Sequence, residues 1–157
     1  MNTHLEIQLF APVQVQQAQE LIDAYDDDPL PVIMVGDFNS AADPHPEDDQ
    51  VTDSYRMFLR AGFADLWLRE AHSNPGLTCC QAPSLDNTES VLYSRLDLVL
   101  ARYGAAGFGG QSWMDILGDE PSDLIQVAPG YTLWPSDHAG VIATLWPAPG
   151  LLMRWAD

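Results

Sequence analysis

The run PVIMV at 31–35 constrains this 157-residue chain more than any other segment. It is apolar throughout and closes on Gly36. A strand without polar alternation suits burial on both faces, so its sheet needs a covering layer on each side. The segment GDFN at 36–39 follows at once, so Asp37 and Asn39 emerge where the chain turns out of the sheet. On an extended backbone residues two apart point the same way, which predicts a carboxylate and an amide on one face. Such a pair can bind a metal, orient a nucleophilic water, or donate to a phosphoryl oxygen without adding charge. A plain polar turn is the alternative, because Gly, Asp and Asn are turn formers.

The flanking segments read as alternating strands and helices. Residues 2–10, NTHLEIQLF, predict a strand. After Pro12, the positions Val15, Ala18, Leu21, Ile22 and Tyr25 recur at helical spacing. The acids at 26–28 oppose a helix dipole, which places the helix end near Tyr25. Residues 40–50 read as a polar, proline-rich loop. Asp53 is a candidate cap for a short helix over 54–61, stopped by Gly62. Residues 63–67 predict a short extended piece, and 73–87, rich in turn formers, a loop. SRLDLVLAR at 94–102 predicts a strand with Leu96, Leu98 and Leu100 on one face. Residues 103–110 read as a glycine-rich turn, 111–130 show no clear pattern, and 139–146 predict a last strand. In such α/β arrangements functional groups tend to gather at the carboxyl ends of strands.

Composition narrows the partners. The chain has 23 acidic against 6 basic residues, all of them arginine, for a formal charge of −17. A surface of that sign repels polyphosphates and argues against an extended nucleic-acid footprint. It also attracts cations, so the acids serve either as a solvated surface or, in part, as metal ligands. No apolar run approaches the ~18 residues of a membrane span. Cys79 and Cys80 are adjacent, without the spacing of a zinc knuckle, and reduced thiols are the expectation.

Three further constellations can carry chemistry. Asp137 and His138 precede the last strand and point apart on an extended chain, so they would serve separately, one for a cation and one for protons. Asp97 lies among leucines and needs a partner, since burying a lone carboxylate is costly. Arg95, two residues earlier, is one candidate, and a histidine whose tautomer Asp97 would fix is the other. His4 in the opening strand is the third, and a structural role is the alternative. His45 and His72 lie in loops and carry no assignment. Trp113, Trp134, Trp146 and Trp155 read as packing residues.

The order of these motifs carries more than any one of them. NTHL, an amphipathic helix, PVIMVGDFNS, then SRLDLVL and SDHAGVIATL together resemble the endonuclease/exonuclease/phosphatase superfamily over most of residues 2–146. The loop GLTCCQAPSLDNTES before SRLDLVL is similar to a bacterial branch of that group. The resemblance implies an α/β protein of α+β type, a partial four-layer α/β/β/α sandwich with mainly one of its two mixed sheets and flanking helices. It implies metal-dependent hydrolysis of a phosphoester, whether small molecule, lipid head group or nucleic acid, with Mg²⁺ or Mn²⁺ as cofactor.

The same resemblance implies the residue roles. His4 matches the histidine that donates to phosphate, Asp37 the aspartate that orients or deprotonates the attacking water, and Asn39 the amide that steadies the phosphoryl group. Asp97 matches the carboxylate behind the active-site histidine, His138 that histidine, and Asp137 a metal-ligating carboxylate. Family members normally begin upstream, with a strand bearing a metal-binding glutamate. The expectation is therefore that residues 1–157 form the C-terminal portion of one domain whose N-terminal half is missing. Such a chain is expected to be inactive alone and to self-associate through an exposed sheet face. A catalytically silent fragment serving in binding or assembly is the competing expectation.

Overall fold

The computed structural model describes residues 1–42, 51–69, 73–102 and 112–146. The expectations for most of the 40–50 loop, the 103–110 turn, His45, His72 and Trp155 lie outside these residues. Strands β1 (Asn2–His4), β2 (Val32–Asp37), β3 (Ala64–Asp65) and β4 (Asp97–Arg102) form one mixed sheet in the order β1-β2-β4-β3. β1 runs parallel to β2, while β4 is antiparallel to both β2 and β3. β5 (Ser112–Leu117) and β8 (Gly140–Leu145) make a second, two-stranded antiparallel sheet, and β6 (Ile125–Ala128) pairs with β7 (Tyr131–Leu133) in a hairpin.

The central sheet is covered on both faces, as PVIMV requires. On one side Val32, Met34, Leu98 and Leu100 pack against α1 (Ala11–Tyr25) through Ala18 and Ile22, and against α2 (Ser54–Arg60) through Tyr55 and Phe58. On the other side Ile33, Val35, Val99 and Ala101 meet Met114 and Ile116 of β5 and Val141, Ala143 and Leu145 of β8. Each fully buried side chain of this size contributes about 1.5–3 kcal/mol. The result is three stacked layers, helices, mixed sheet and second sheet, which is the α/β sandwich class the motif order implies. The outer face of the second sheet is different. Trp113, Leu117 and Ile142 lie on it, each more than a third exposed.

Several local expectations change. The first strand ends at His4, and Gln8–Phe10 form a 3₁₀ turn that leads into α1. Pro12 sits in the first turn of α1, where its missing N–H costs nothing, and the helix ends at Tyr25. Its buried stripe is Gln14, Ala18 and Ile22, with Leu21 and Tyr25 packed beside it, so the expected stripe holds and Gln14 is added to it. Asp53 precedes α2 but makes no side-chain cap, whereas Gly62 takes φ +85° just past the helix end. The unpatterned region 111–130 contains β5 and β6. Its signal is hidden because β5 alternates inward Met114 and Ile116 with outward Trp113, Asp115 and Leu117. Trp134 is buried and donates its indole N–H to the Asn87 carbonyl at 2.7 Å, a packing residue with a satisfied handle. Trp113 and Trp146 are instead about half exposed.

Candidate active site

The strand registers set up the site. β1 pairs His4 with Asp37, and β2 pairs Asp37 with Asp97, so three polar residues stand in a row across one end of the central sheet. His4 and Asp37 close their strands, while Asp97 opens the antiparallel β4. Gly36 permits the close approach of β1: a Cβ there would stand 1.9 Å from the Thr3 carbonyl oxygen. His138 joins the row from the turn before β8. Its Nδ1 lies 2.8 Å from Asp97 Oδ2. His4 Nε2 is 3.4 Å from Asp37 Oδ2, with the His4 side chain 73% exposed.

Buried neighbours hold these groups in place. Phe38 anchors the GDFN turn in the core, edge-on to Phe58 at 5.2 Å. Asn39 does not continue the extended backbone. Its φ is +47°, a region Asn tolerates better than most residues, so Asp37 and Asn39 do not simply alternate onto one face. Its backbone N–H donates to Asp37 Oδ1 at 2.8 Å, and its side-chain Nδ2 donates to the Leu5 carbonyl at 2.9 Å. Gln14 of α1, fully buried, donates to the Asn39 carbonyl at 2.7 Å and accepts from Ser54 Oγ at 3.0 Å. Sequence reading missed Gln14. The signal was its place four residues before Ala18 and eight before Ile22.

A second clamp comes from residues 78–81. Thr78 Oγ1 accepts from the backbone of Leu96 and of Asp97, both at 3.0 Å. The Thr78 carbonyl accepts from Ala139 N at 2.8 Å, and Gln81 N donates to the Asp137 carbonyl at 2.7 Å. One short segment therefore fixes both partners of the Asp97–His138 pair. Cys79 and Cys80 lie within it, with their sulfurs in direct contact. Cys79 is bridged on one side to Ser94 and on the other to His138. Cys80 Sγ lies 3.9 Å from His138 Nε2.

Arg95 is not the partner of Asp97. It turns into the core and meets Asp65, Nη1 to Oδ2 at 2.7 Å, while Tyr55 OH donates to the same carboxylate at 2.9 Å. The alternation that would place Arg95 beside Asp97 fails because β4 begins only at Asp97. Asp137 is exposed, and its carboxylate accepts from Ser136 Oγ at 3.3 Å.

The electrostatics follow from this layout. Burial raises the Asp37 pKa above its usual 3.8, opposed by the Asn39 N–H and reinforced by the charge of Asp97. The hydrogen bond to Asp97 raises His138 above its usual 6.5, against the desolvation that lowers it. Among the described residues, two groups present ligand atoms within 4.8 Å of one another: Asp37, Asp97 and His138, and Cys79, Cys80 and His138. The first offers hard carboxylate oxygens and the second soft sulfurs. The site can thus move protons at Asp37 and His138 and can hold a divalent ion.

The chain belongs to the endonuclease/exonuclease/phosphatase family, whose model matches residues 3–138. Solved structures agree on the fold. A mannosyl-6-phosphatase from Bacteroides thetaiotaomicron is similar with a TM-score of 0.63 and 21% identity, over 92% of this chain and 49% of that one. TDP2 from Caenorhabditis elegans, in truncated form, is similar with a TM-score of 0.55 and 20% identity, over 92% of this chain and 52% of that one. A humanised D. rerio TDP2 gives 0.55 and 17%, over 90% and 51%. The chain spans about half the length of these structures. No curated protein sequence matches it.

Proposed function

We propose that this chain carries the catalytic half of a divalent-metal-dependent phosphoesterase site. The observation that supports this most is the row His4, Asp37, Asp97 and His138 at one sheet end, with the Asp97–His138 hydrogen bond at 2.8 Å. In this reading Asp37, its pKa raised by burial, accepts a proton from the attacking water. His138, held protonated by Asp97, donates through Nε2 to a phosphoryl oxygen. Exposed His4 assists at the open side of the site. Asn39, its Nδ2 committed to the Leu5 carbonyl, steadies the turn that presents Asp37.

The donor chemistry fits a hard cation. The charge of Asp97 raises the cost of ionising Asp37, a conflict that a nearby divalent ion relieves, and Asp137 adds an exposed carboxylate. Mg²⁺ or Mn²⁺ would be held by Asp137 and would neutralise phosphoryl charge when bound. Because Mg²⁺ seeks near-octahedral oxygen coordination, so few protein ligands give weak affinity. We read the chain as the C-terminal portion of a family domain. A partner carrying the other portion would complete the ion site and cover the outer face around Trp113, Leu117 and Ile142. The substrate is a small phosphoester rather than long DNA, in keeping with the −17 charge.

The test is Mg²⁺- and Mn²⁺-dependent hydrolysis across sugar phosphates, phosphodiesters and lipid head groups, with the chain alone and with a co-expressed N-terminal half from a relative. Little activity alone, metal-dependent turnover once complemented, and self-association of the lone chain in sedimentation are expected. A silent binding piece, the second reading, is favoured by the exposure of Asp137. It would be established by no turnover in any complemented form.

A further inference from the structure

We propose that Cys79, Cys80 and His138 form a redox-gated site for a thiophilic divalent cation of the zinc type. When the cysteines are reduced, that cation takes the imidazole nitrogen that would otherwise serve substrate. The binding site stands on its own residues, while its inhibitory effect rests on the phosphoesterase reading above.

The two cysteines are the chain's only ones and sit beside His138, whose Nδ1 is 2.8 Å from Asp97 Oδ2. Donor type separates this group from the neighbouring Asp37 and Asp97. Two thiolates and an imidazole suit zinc and disfavour Mg²⁺. The spacing of Cys80 and His138 also fits. Tetrahedral zinc, with bonds of ~2.3 Å to sulfur and ~2.0 Å to nitrogen, spaces those ligand atoms roughly 3.6 Å apart. Cys80 Sγ and His138 Nε2 are 3.9 Å apart. A zinc-bound histidine usually donates its other ring N–H to a carboxylate or carbonyl, which orients the ring and raises its basicity. Asp97 accepts from His138 Nδ1 in just that relation, leaving Nε2 turned to the sulfurs.

The backbone preorganises the group. Cys79 is bridged to His138 directly, Ala139 N donates to the Thr78 carbonyl at 2.8 Å, and Gln81 N donates to the Asp137 carbonyl at 2.7 Å. Sulfurs and imidazole therefore sit on two segments tied together before any ion arrives.

The gate is the bond between the sulfurs. The sulfurs are in direct contact, placed to join as a disulfide, and once joined they offer no thiolate. A dithiol reductant breaks that bond by supplying two electrons and two protons. Two cysteine thiols form, and the reductant leaves as its own disulfide. Binding of the cation then displaces the two thiol protons to solvent. His138 Nε2 is now a metal ligand and is lost to the phosphoryl oxygen. Exchange with an oxidised dithiol, which takes up the two electrons and two solvent protons and leaves as its dithiol, restores the disulfide, ejects the ion and frees the histidine.

The experiment compares three preparations of the full chain: the disulfide form, the dithiol-reduced form with reductant removed, and reduced Cys80→Ser. Zn²⁺ affinity is read by competition with a chromophoric chelator, and Co²⁺ substitution reports the ligand set by its absorption. Reduced chain should bind one equivalent about a hundredfold more tightly than either control, with a thiolate-to-cobalt charge-transfer band and a shifted His138 ring resonance. Equal affinity in reduced and disulfide forms, or binding without the thiolate band or without a change at His138, would overturn the site. In a complemented, hydrolytically active form, Zn²⁺ should abolish turnover only after reduction, and chelation should restore it. Tight zinc binding with no hydrolysis in either redox state would refute the phosphoesterase reading and leave the metal site standing.

Discussion

Two ion pairs leave the same short stretch of chain in opposite directions. Arg95 turns inward to Asp65, and both side chains are almost wholly buried, 3% and 1% exposed. Asp97, two residues on, turns to the sheet end and meets His138, with side chains 23% and 26% exposed. The inner pair is fenced by Tyr55 and by the Trp67 backbone, both of which donate to the Asp65 carboxylate. The outer pair keeps one ring nitrogen for an incoming group. Depth separates the two. An ion pair sealed from solvent can hold structure together, but only one with a solvent-facing nitrogen can trade protons with a substrate.

The sharpest way to break this contrast is Asp97→Asn. If Asp97 fixes the His138 tautomer, the amide should lower turnover of a complemented enzyme by roughly 10³–10⁴-fold, with only a small change in melting temperature. Steady-state rates beside a thermal melt would decide it. Turnover within a few-fold of the parent would show the outer pair to be ornamental.

Asp65→Ala probes the other side. Removing one partner strands Arg95 as a buried charge, which costs about 3–5 kcal/mol. Urea denaturation should show that loss directly. A loss below ~1 kcal/mol would mean that solvent reaches the inner pair after all.

Gly36→Ala is the next largest effect and tests the approach of β1. The new methyl would meet the Thr3 carbonyl at 1.9 Å, so β1 must move away, at a cost of about 1–3 kcal/mol. His4 would shift with it. Ring resonances of His4 should change while those of His138 stay put, and no change at His4 would argue that β1 does not set its position.

How much of this was readable beforehand depends on how local the cause is. PVIMV announced a strand covered on both faces because five apolar residues leave no polar side to expose. Helix α1 was visible in its period, with Ala18, Leu21, Ile22 and Tyr25 on the core side, but polarity hid Gln14, which is buried on the same side for the sake of the Asn39 loop. Arg95 misled because alternation was extended past the start of β4. Asp65 gave no warning, since a two-residue strand has no pattern to read. The residues of the site could be chosen only from the order of their motifs. Nothing in GDFN or SDH alone says that strand register will line up His4, Asp37 and Asp97.

The smallest expected effect concerns pH, and it sharpens the contrast between the pairs. His138 has its pKa raised in the fold, first by the hydrogen bond it donates to Asp97 and then by that carboxylate's charge, with burial opposing. The folded state therefore binds this proton more tightly than the unfolded chain does. Stability from the pair is fully present below the usual 6.5 and is lost as pH rises through the folded value. Asp37, also raised, loses stability in the same direction but in the acid range above 3.8. Asp97→Asn removes the His138 contribution. The melting difference between parent and variant should be largest between about pH 5 and 6, amount to ~1 kcal/mol or less for so open a pair, and shrink toward pH 9. The Asp65–Arg95 pair contains no histidine, so Asp65→Asn should give a difference that stays flat over the same range. A flat profile for Asp97→Asn as well would mean that His138 gains no proton affinity from its neighbour, and the outer pair would then be a hydrogen bond between neutral imidazole and carboxylate.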